Sequence, residues 1–97
     1  MITKDGENHV VTPPDELVIH TVSGFVEELK NGLEECKVIL LNLIEVVEID
    51  SAGFQVLVAL KNEALKRGIP LKIIGMSSEA DEIISLYGAQ SFIDNKR

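Results

Sequence analysis

The feature that most constrains the fold is a pair of apolar runs, VILLNL and IPLKII, separated by a stretch with helical periodicity. VILLNL, residues 38 to 43, is almost wholly apolar and begins with β-branched side chains, which is typical of a strand buried on both faces. One helical stripe lies between the two runs: Phe54, Leu57, Leu60 and Ala64. Gly68 and Pro70 mark where that helix ends. A strand, a helix and a second strand in this order predict a parallel crossover.

The first third of the chain continues the alternation. VVTPPDELVIH predicts a pair of short strands, or an edge strand with a turn, because proline cannot donate to a sheet ladder. A helix follows, for which Thr21 or Ser23 is the predicted cap. Its apolar stripe is Val22, Phe25, Val26, Leu29, Leu33 and Cys36.

The last third predicts a third helix and a final strand. EADEIISLYG places Ala80, Ile83, Ile84 and Tyr87 on one helical face. Ser78 and Asp81 have the spacing of a capping box, and Gly88 ends the helix. Residues 91 to 93 predict a short last strand. The whole pattern indicates an α/β domain with a mixed, mainly parallel sheet and helices packed on it.

Composition and charge exclude several function classes. The chain has 97 residues, enough for one core, and carries 16 acidic against 9 basic residues. Without a basic cluster, neither nucleic acid nor an anionic membrane surface is an expected partner. The N-terminus has no apolar run of the length that a signal peptide or membrane insertion requires, so we expect a cytoplasmic protein.

Few residues suggest catalysis or metal binding. His9 and His20 have no cysteine or carboxylate at metal-ligand spacing, and Cys36 fits the stripe of the first helix as a small core residue. Neither a nucleophile elbow nor a phosphate-binding loop is present. We therefore predict no catalytic residue, no metal and no cofactor.

EIDSAGFQVL, residues 48 to 57, is the stretch most suggestive of function. Asp50 and Ser51 are preferred N-cap residues, so both could simply begin a helix. Alternatively, Ser51 is a modifiable serine at a helix N-terminus, where backbone N–H groups favour negative charge. The small side chains of Ala52 and Gly53 would then leave an open surface for a partner. Both interpretations can hold together.

Three stretches resemble one family: LVIHTVSGFVEELKNGL, VILLNLIEVVEIDSAGFQVLVALKNEALKRG and IPLKIIGMSSEADEIISLYGA. Together they are similar to the STAS domain, the family of anti-sigma factor antagonists and their relatives, over residues 9 to 94. The middle stretch is the most specific, because it holds a buried strand, a D-S/T-x-G turn and a helix closing with R-G. We accordingly predict a disordered segment at 1–8, the domain at 9–94 and a short tail at 95–97.

The resemblance implies a non-catalytic, cytoplasmic regulator that binds a serine kinase-type anti-sigma factor or a related signalling protein. It implies phosphorylation at Ser51 and a partner surface formed by Asp50, Ser51, Ala52, Gly53 and Phe54. LVIHTV before the first helix is more similar to STAS proteins linked to chemotaxis, two-component signalling or lipid transport. The alternative function is therefore a constitutive cytoplasmic subunit bound to a transporter ATPase.

Overall fold

The computed structural model describes residues 1 to 86 as two small sheets and three helices. The elements are β1 (Ile2–Asp5), β2 (Asn8–Val11), β3 (Glu16–Leu17), α1 (Val22–Gly32), β4 (Val38–Leu43), β5 (Glu48–Ile49), α2 (Ser51–Arg67), β6 (Leu71–Met76) and α3 (Ser78–Leu86). The predicted positions of Tyr87 and Gly88, the strand at 91–93 and the tail lie outside the described residues.

The larger sheet has four strands in the order β1-β2-β4-β6. β1 runs antiparallel to β2, whereas β4 is parallel to both of its neighbours. β3 and β5 form a separate parallel pair. The predicted α/β architecture with a mixed, mainly parallel sheet is confirmed.

The N-terminus is ordered, so the predicted disorder of residues 1–8 is wrong. Ile2 pairs with Val11 and packs against the backbone of Gly32, which places it on the helical side of the sheet. Gly6 adopts a left-handed φ of 65° in the two-residue turn between β1 and β2. The two turn residues are Gly6 and Glu7, and glycine at the first of them favours a tight hairpin. Packing of the half-buried Ile2 stabilises the strand that the turn makes possible.

The core lies where the central strand meets the helices. Ile39, Leu41 and Leu43 of β4 are fully buried, while the residues that alternate with them are only half-buried. The prediction that VILLNL is buried on both faces therefore holds for one face. The buried cluster also includes Phe25 of α1 and Leu57 of α2.

The helix boundaries follow local sequence, with two corrections. α1 ends at Gly32, so the last two residues of its predicted stripe, Leu33 and Cys36, lie past the helix but are still buried. α3 is capped by Ser77, whose hydroxyl accepts a hydrogen bond from the N–H of Ala80 at 2.9 Å. The predicted capping box built on Ser78 is wrong, because the capping hydroxyl belongs to the preceding serine.

Candidate functional site

The segment around Ser51 begins at the end of the β3–β5 pair. Between the strand VILLNL and α2 lies β5, which pairs Ile49 with Leu17 of β3. The backbone N–H of Asp50 donates to the carbonyl of Leu17 at 3.3 Å and continues this ladder. α2 then starts at Ser51. The smaller sheet, rather than the central strand, therefore positions the site.

Asp50 joins the start of α2 to the loop before α1. Its Oδ1 accepts from the N–H of Gly53 and its Oδ2 from the N–H of Ile19, each at 2.9 Å. The first bond is an N-cap and the second crosses to another part of the chain. The hydrogen bonds from Gly53 and Ile19 lower the pKa of the Asp50 carboxyl, because they stabilise its charged form.

Ser51 is the first residue of α2, and its side chain is exposed. Asp50 performs the capping that either residue could have performed. Within residues 1 to 86, the Ser51 hydroxyl forms no hydrogen bond. Capping therefore accounts for an aspartate at position 50. It does not account for the hydroxyl of Ser51, which forms no contact that stabilises the described part of the chain.

Gly53 faces inward, contrary to the expectation that it opens the surface to a partner. A Cβ at this position would overlap the carbonyl oxygen of Leu17 and lie 2.8 Å from its carbonyl carbon. The missing side chain thus allows the first turn of α2 to touch β3. Ala52 and Phe54 are half-buried, and Phe54 packs against the core.

Two exposed apolar residues that the sequence analysis missed lie at the same corner. Ile19 is 61% exposed and its backbone bonds Asp50, while Val47 is 48% exposed and directly precedes β5. Between them, Glu16 and Glu48 are register partners in the β3–β5 pair, and both are exposed. The sequence predicts a short or edge strand over this segment, whereas β3 ends at Leu17 and Ile19 lies beyond it.

The two histidines and the cysteine occupy separate places in the fold. His9 is buried in β2 and His20 is exposed, and residues 1 to 86 contain no cluster of three or more His, Cys, Asp or Glu arranged to hold a metal. Cys36 is buried as predicted, and burial raises the pKa of its thiol. None of the helices described for these residues has the length and apolar character needed to cross a bilayer.

The family model of the STAS domain matches residues 1–96, nearly the whole chain. No curated protein matches the chain significantly.

Proposed function

The chain belongs to the STAS domain family, and from this premise we propose that it is a non-catalytic interaction domain, switched by phosphorylation of Ser51. At family level a STAS domain suggests a regulatory role of the anti-sigma antagonist kind. The proposed partner is a serine kinase-type anti-sigma factor or a related signalling protein, and the proposed location is the cytoplasm.

The observation that carries the proposal is that Asp50, and not Ser51, caps α2. Asp50 binds two backbone N–H groups and holds the start of α2. The exposed Ser51 hydroxyl beside it is left available to a kinase, at a helix N-terminus where an added anion meets favourable backbone dipoles.

Phosphorylation would change little within the domain. Phosphoserine adds a charge of about −1.5 to −2. The helix N-terminus would stabilise that charge by about 0.3 to 1 kcal/mol, whereas the neighbouring acidic side chains Asp50 and Glu48 oppose it. The two effects nearly cancel, so no large refolding is expected.

The same phosphate would change the affinity of a complex more than it changes the stability of the free domain. Burying a charge without a counter-ion costs several kcal/mol, and each 1.4 kcal/mol is tenfold in affinity. If the partner is a kinase, the phosphate also faces the phosphates of its nucleotide. Unmodified Ser51 would therefore permit the complex, and phosphoserine would release it.

The test compares four immobilised baits in extract of the native cells: wild type, Ser51→Ala, Ser51→Asp and Ser78→Asp. Ser78 is the matched control, because it is the exposed first residue of another helix, α3. We expect one protein to be retained by wild type, Ser51→Ala and Ser78→Asp, and lost from Ser51→Asp alone. Equal retention by all four baits would contradict the switch.

A groove between α1 and α2 favours the second candidate, a constitutive subunit bound to a transporter ATPase. The groove has a volume of about 490 Å³. Its apolar lining comes from both helices and from the residue that follows α1: Val26, Leu29, Leu33, Val56, Ala59 and Leu60. A partner seated there would not depend on the charge at Ser51. Retention of the same ATPase subunit by all four baits is the outcome that supports this candidate.

A further inference from the structure

The groove between α1 and α2 is charged at one end only. Arg67, the last residue of α2, donates from its Nη1 to the carbonyl of Leu33, which directly follows α1. The C-terminal ends of the two helices therefore meet at one end of the groove. Lys30, Glu63 and Arg67 line that end, whereas the rest of the lining is apolar apart from Gln55.

The groove has the size and composition of a small-molecule site. Its volume of about 490 Å³ is typical of ligand pockets, which are mostly apolar and carry a few polar groups that fix the orientation of the ligand. Between Gln55 and Arg67 it follows α2 for about 18 Å, at about 1.5 Å per residue. Ala59, near the middle, is exposed and has only a methyl side chain, so a ligand can approach the helix closely. The groove is thus long, apolar and charged at one end.

The charged end holds cationic donors that the described part of the chain does not use. Arg67 has five N–H groups, of which Nε–H bonds Glu63 at 2.8 Å and one Nη1–H bonds the carbonyl of Leu33. The other three have no acceptor within residues 1 to 86. The Lys30 ammonium forms no ion pair in the same residues. With two cations against one carboxylate, this end is positive in a chain whose net charge is −7.

We propose that the groove binds a single-chain anionic amphiphile of the fatty-acid class. The alkyl chain would lie along Leu29, Val56 and Leu60, and the carboxylate would face Lys30 and Arg67. The guanidinium group presents paired N–H donors that match the geometry of a carboxylate. A purely apolar ligand would leave these cations unpaired, and a basic ligand would be repelled by them. The net charge of −7 opposes the approach of any anion, so burial of the alkyl chain supplies most of the affinity.

The inference goes beyond the proposed function, because the serine switch needs no small ligand and Ser51 does not line the groove. It also bears on the second candidate function. An amphiphile seated between α1 and α2 would exclude a protein partner from the same groove, so the two occupants would compete.

The test titrates octanoate and decanoate, each below its micelle concentration, into the ¹⁵N-labelled full chain. We expect decanoate to shift the amide signals of Leu29, Ala59 and Glu63, which line the groove. Decanoate should bind about tenfold more tightly than octanoate, because its additional methylenes are removed from water in the groove. Decanol, which keeps the chain and lacks the charge, serves as the probe for the role of the cations.

Two pairs of variants test the two ends of the ligand. Lys30→Gln should weaken decanoate about threefold and leave decanol unchanged, as expected for one partly exposed ion pair. Lys66→Gln removes the same charge from the last turn of α2 outside the groove and should leave both unchanged. Ala59→Phe, at an exposed position, should obstruct the chain and weaken decanoate about tenfold. Asn62→Phe, exposed on α2 but outside the groove lining, should not weaken it.

Several results would overturn the site. They are no binding of decanoate, equal affinity for octanoate and decanoate, or equal binding of decanoate by Ala59→Phe and Asn62→Phe. Equal effects of Lys30→Gln and Lys66→Gln would show that total charge rather than the groove is sensed, and would overturn the site as well. Thermal melts of both phenylalanine variants establish that they are folded, and the lysine pair decides the question if Ala59→Phe is not. Every variant keeps Ser51, so the outcome is independent of the bait comparison.

Discussion

Replacing Gly53 with alanine tests how the site is built. The expected clash is with the backbone of Leu17, which cannot turn aside freely because its carbonyl accepts the N–H of Asp50. A new Cβ would lie 2.8 Å from the Leu17 carbonyl carbon. The distance between these two atoms must grow by roughly 1 Å to reach ordinary carbon contact distance. The first turn of α2 would have to move away from β3 and carry Ser51 with it.

The magnitude follows from two opposing effects. Alanine is better than glycine inside a helix by about 1 kcal/mol. Overpacking costs about 1 to 3 kcal/mol, and weakening the bond between Asp50 and Leu17 adds about 0.5 to 1.5 kcal/mol. We therefore expect Gly53→Ala to lower the free energy of unfolding by about 0.5 to 3.5 kcal/mol. For a domain of this size the melting temperature should fall by about 2 to 28 °C.

The assay is thermal unfolding followed by circular dichroism, with Gly24→Ala as the matched control. Gly24 occupies the same third position of α1 that Gly53 occupies in α2, but a Cβ there would meet nothing within 4 Å. Gly24→Ala should leave stability unchanged or raise it by up to about 1 kcal/mol. If Gly53→Ala melts as high as wild type, the tight contact between α2 and β3 is refuted.

Three further predictions concern the hydrogen bonds and the thiol. Asp50→Asn should speed amide exchange at Ile19 and lower the melting temperature at neutral pH. The Asp50 pKa is lowered in the folded protein, so its contribution to stability is fully present above the unfolded value of 3.8 and is lost as pH falls through the folded-state pKa. The deficit should therefore be smaller at pH 3 than at pH 7, as thermal melts at the two pH values would measure. Ser77→Ala should lower the free energy of unfolding in urea by about 1 to 3 kcal/mol. The buried Ser77 hydroxyl caps α3 and also donates to the carbonyl of Val46. Ser78→Ala, at an exposed position, should leave this free energy nearly unchanged. Cys36 should react with a thiol reagent slowly in native protein and rapidly in urea, because it is buried and burial raises its thiol pKa. Native labelling as fast as that of the unfolded chain would contradict this.

Local chemistry allowed the sequence to predict much of the fold. α2 begins after Asp50 and ends at Gly68, whose left-handed φ of 71° closes it, as the cap and stop signals predicted. The stripe containing Leu57 and Leu60 is buried. These features depend on residues a few positions apart, so a pattern could reveal them.

Features that depend on distant contacts were missed. β3 and β5 have two residues each, too few to show any period, yet their pairing places Ser51. The inward face of Gly53 depends on Leu17, which lies 36 residues away along the chain. The exposure of Ile19 likewise depends on where β3 ends. β1 is the exception, because the glycine of its turn, Gly6, is a local signal in the sequence.

The most direct test of the central claim is the phosphate occupancy of Ser51 in protein isolated from its own cells. The free and partner-bound fractions are separated by size and each is mapped by mass spectrometry. The switch predicts phosphate on Ser51 in the free fraction and none in the bound fraction. Equal occupancy in both fractions, or no phosphate on Ser51 in either, would contradict it.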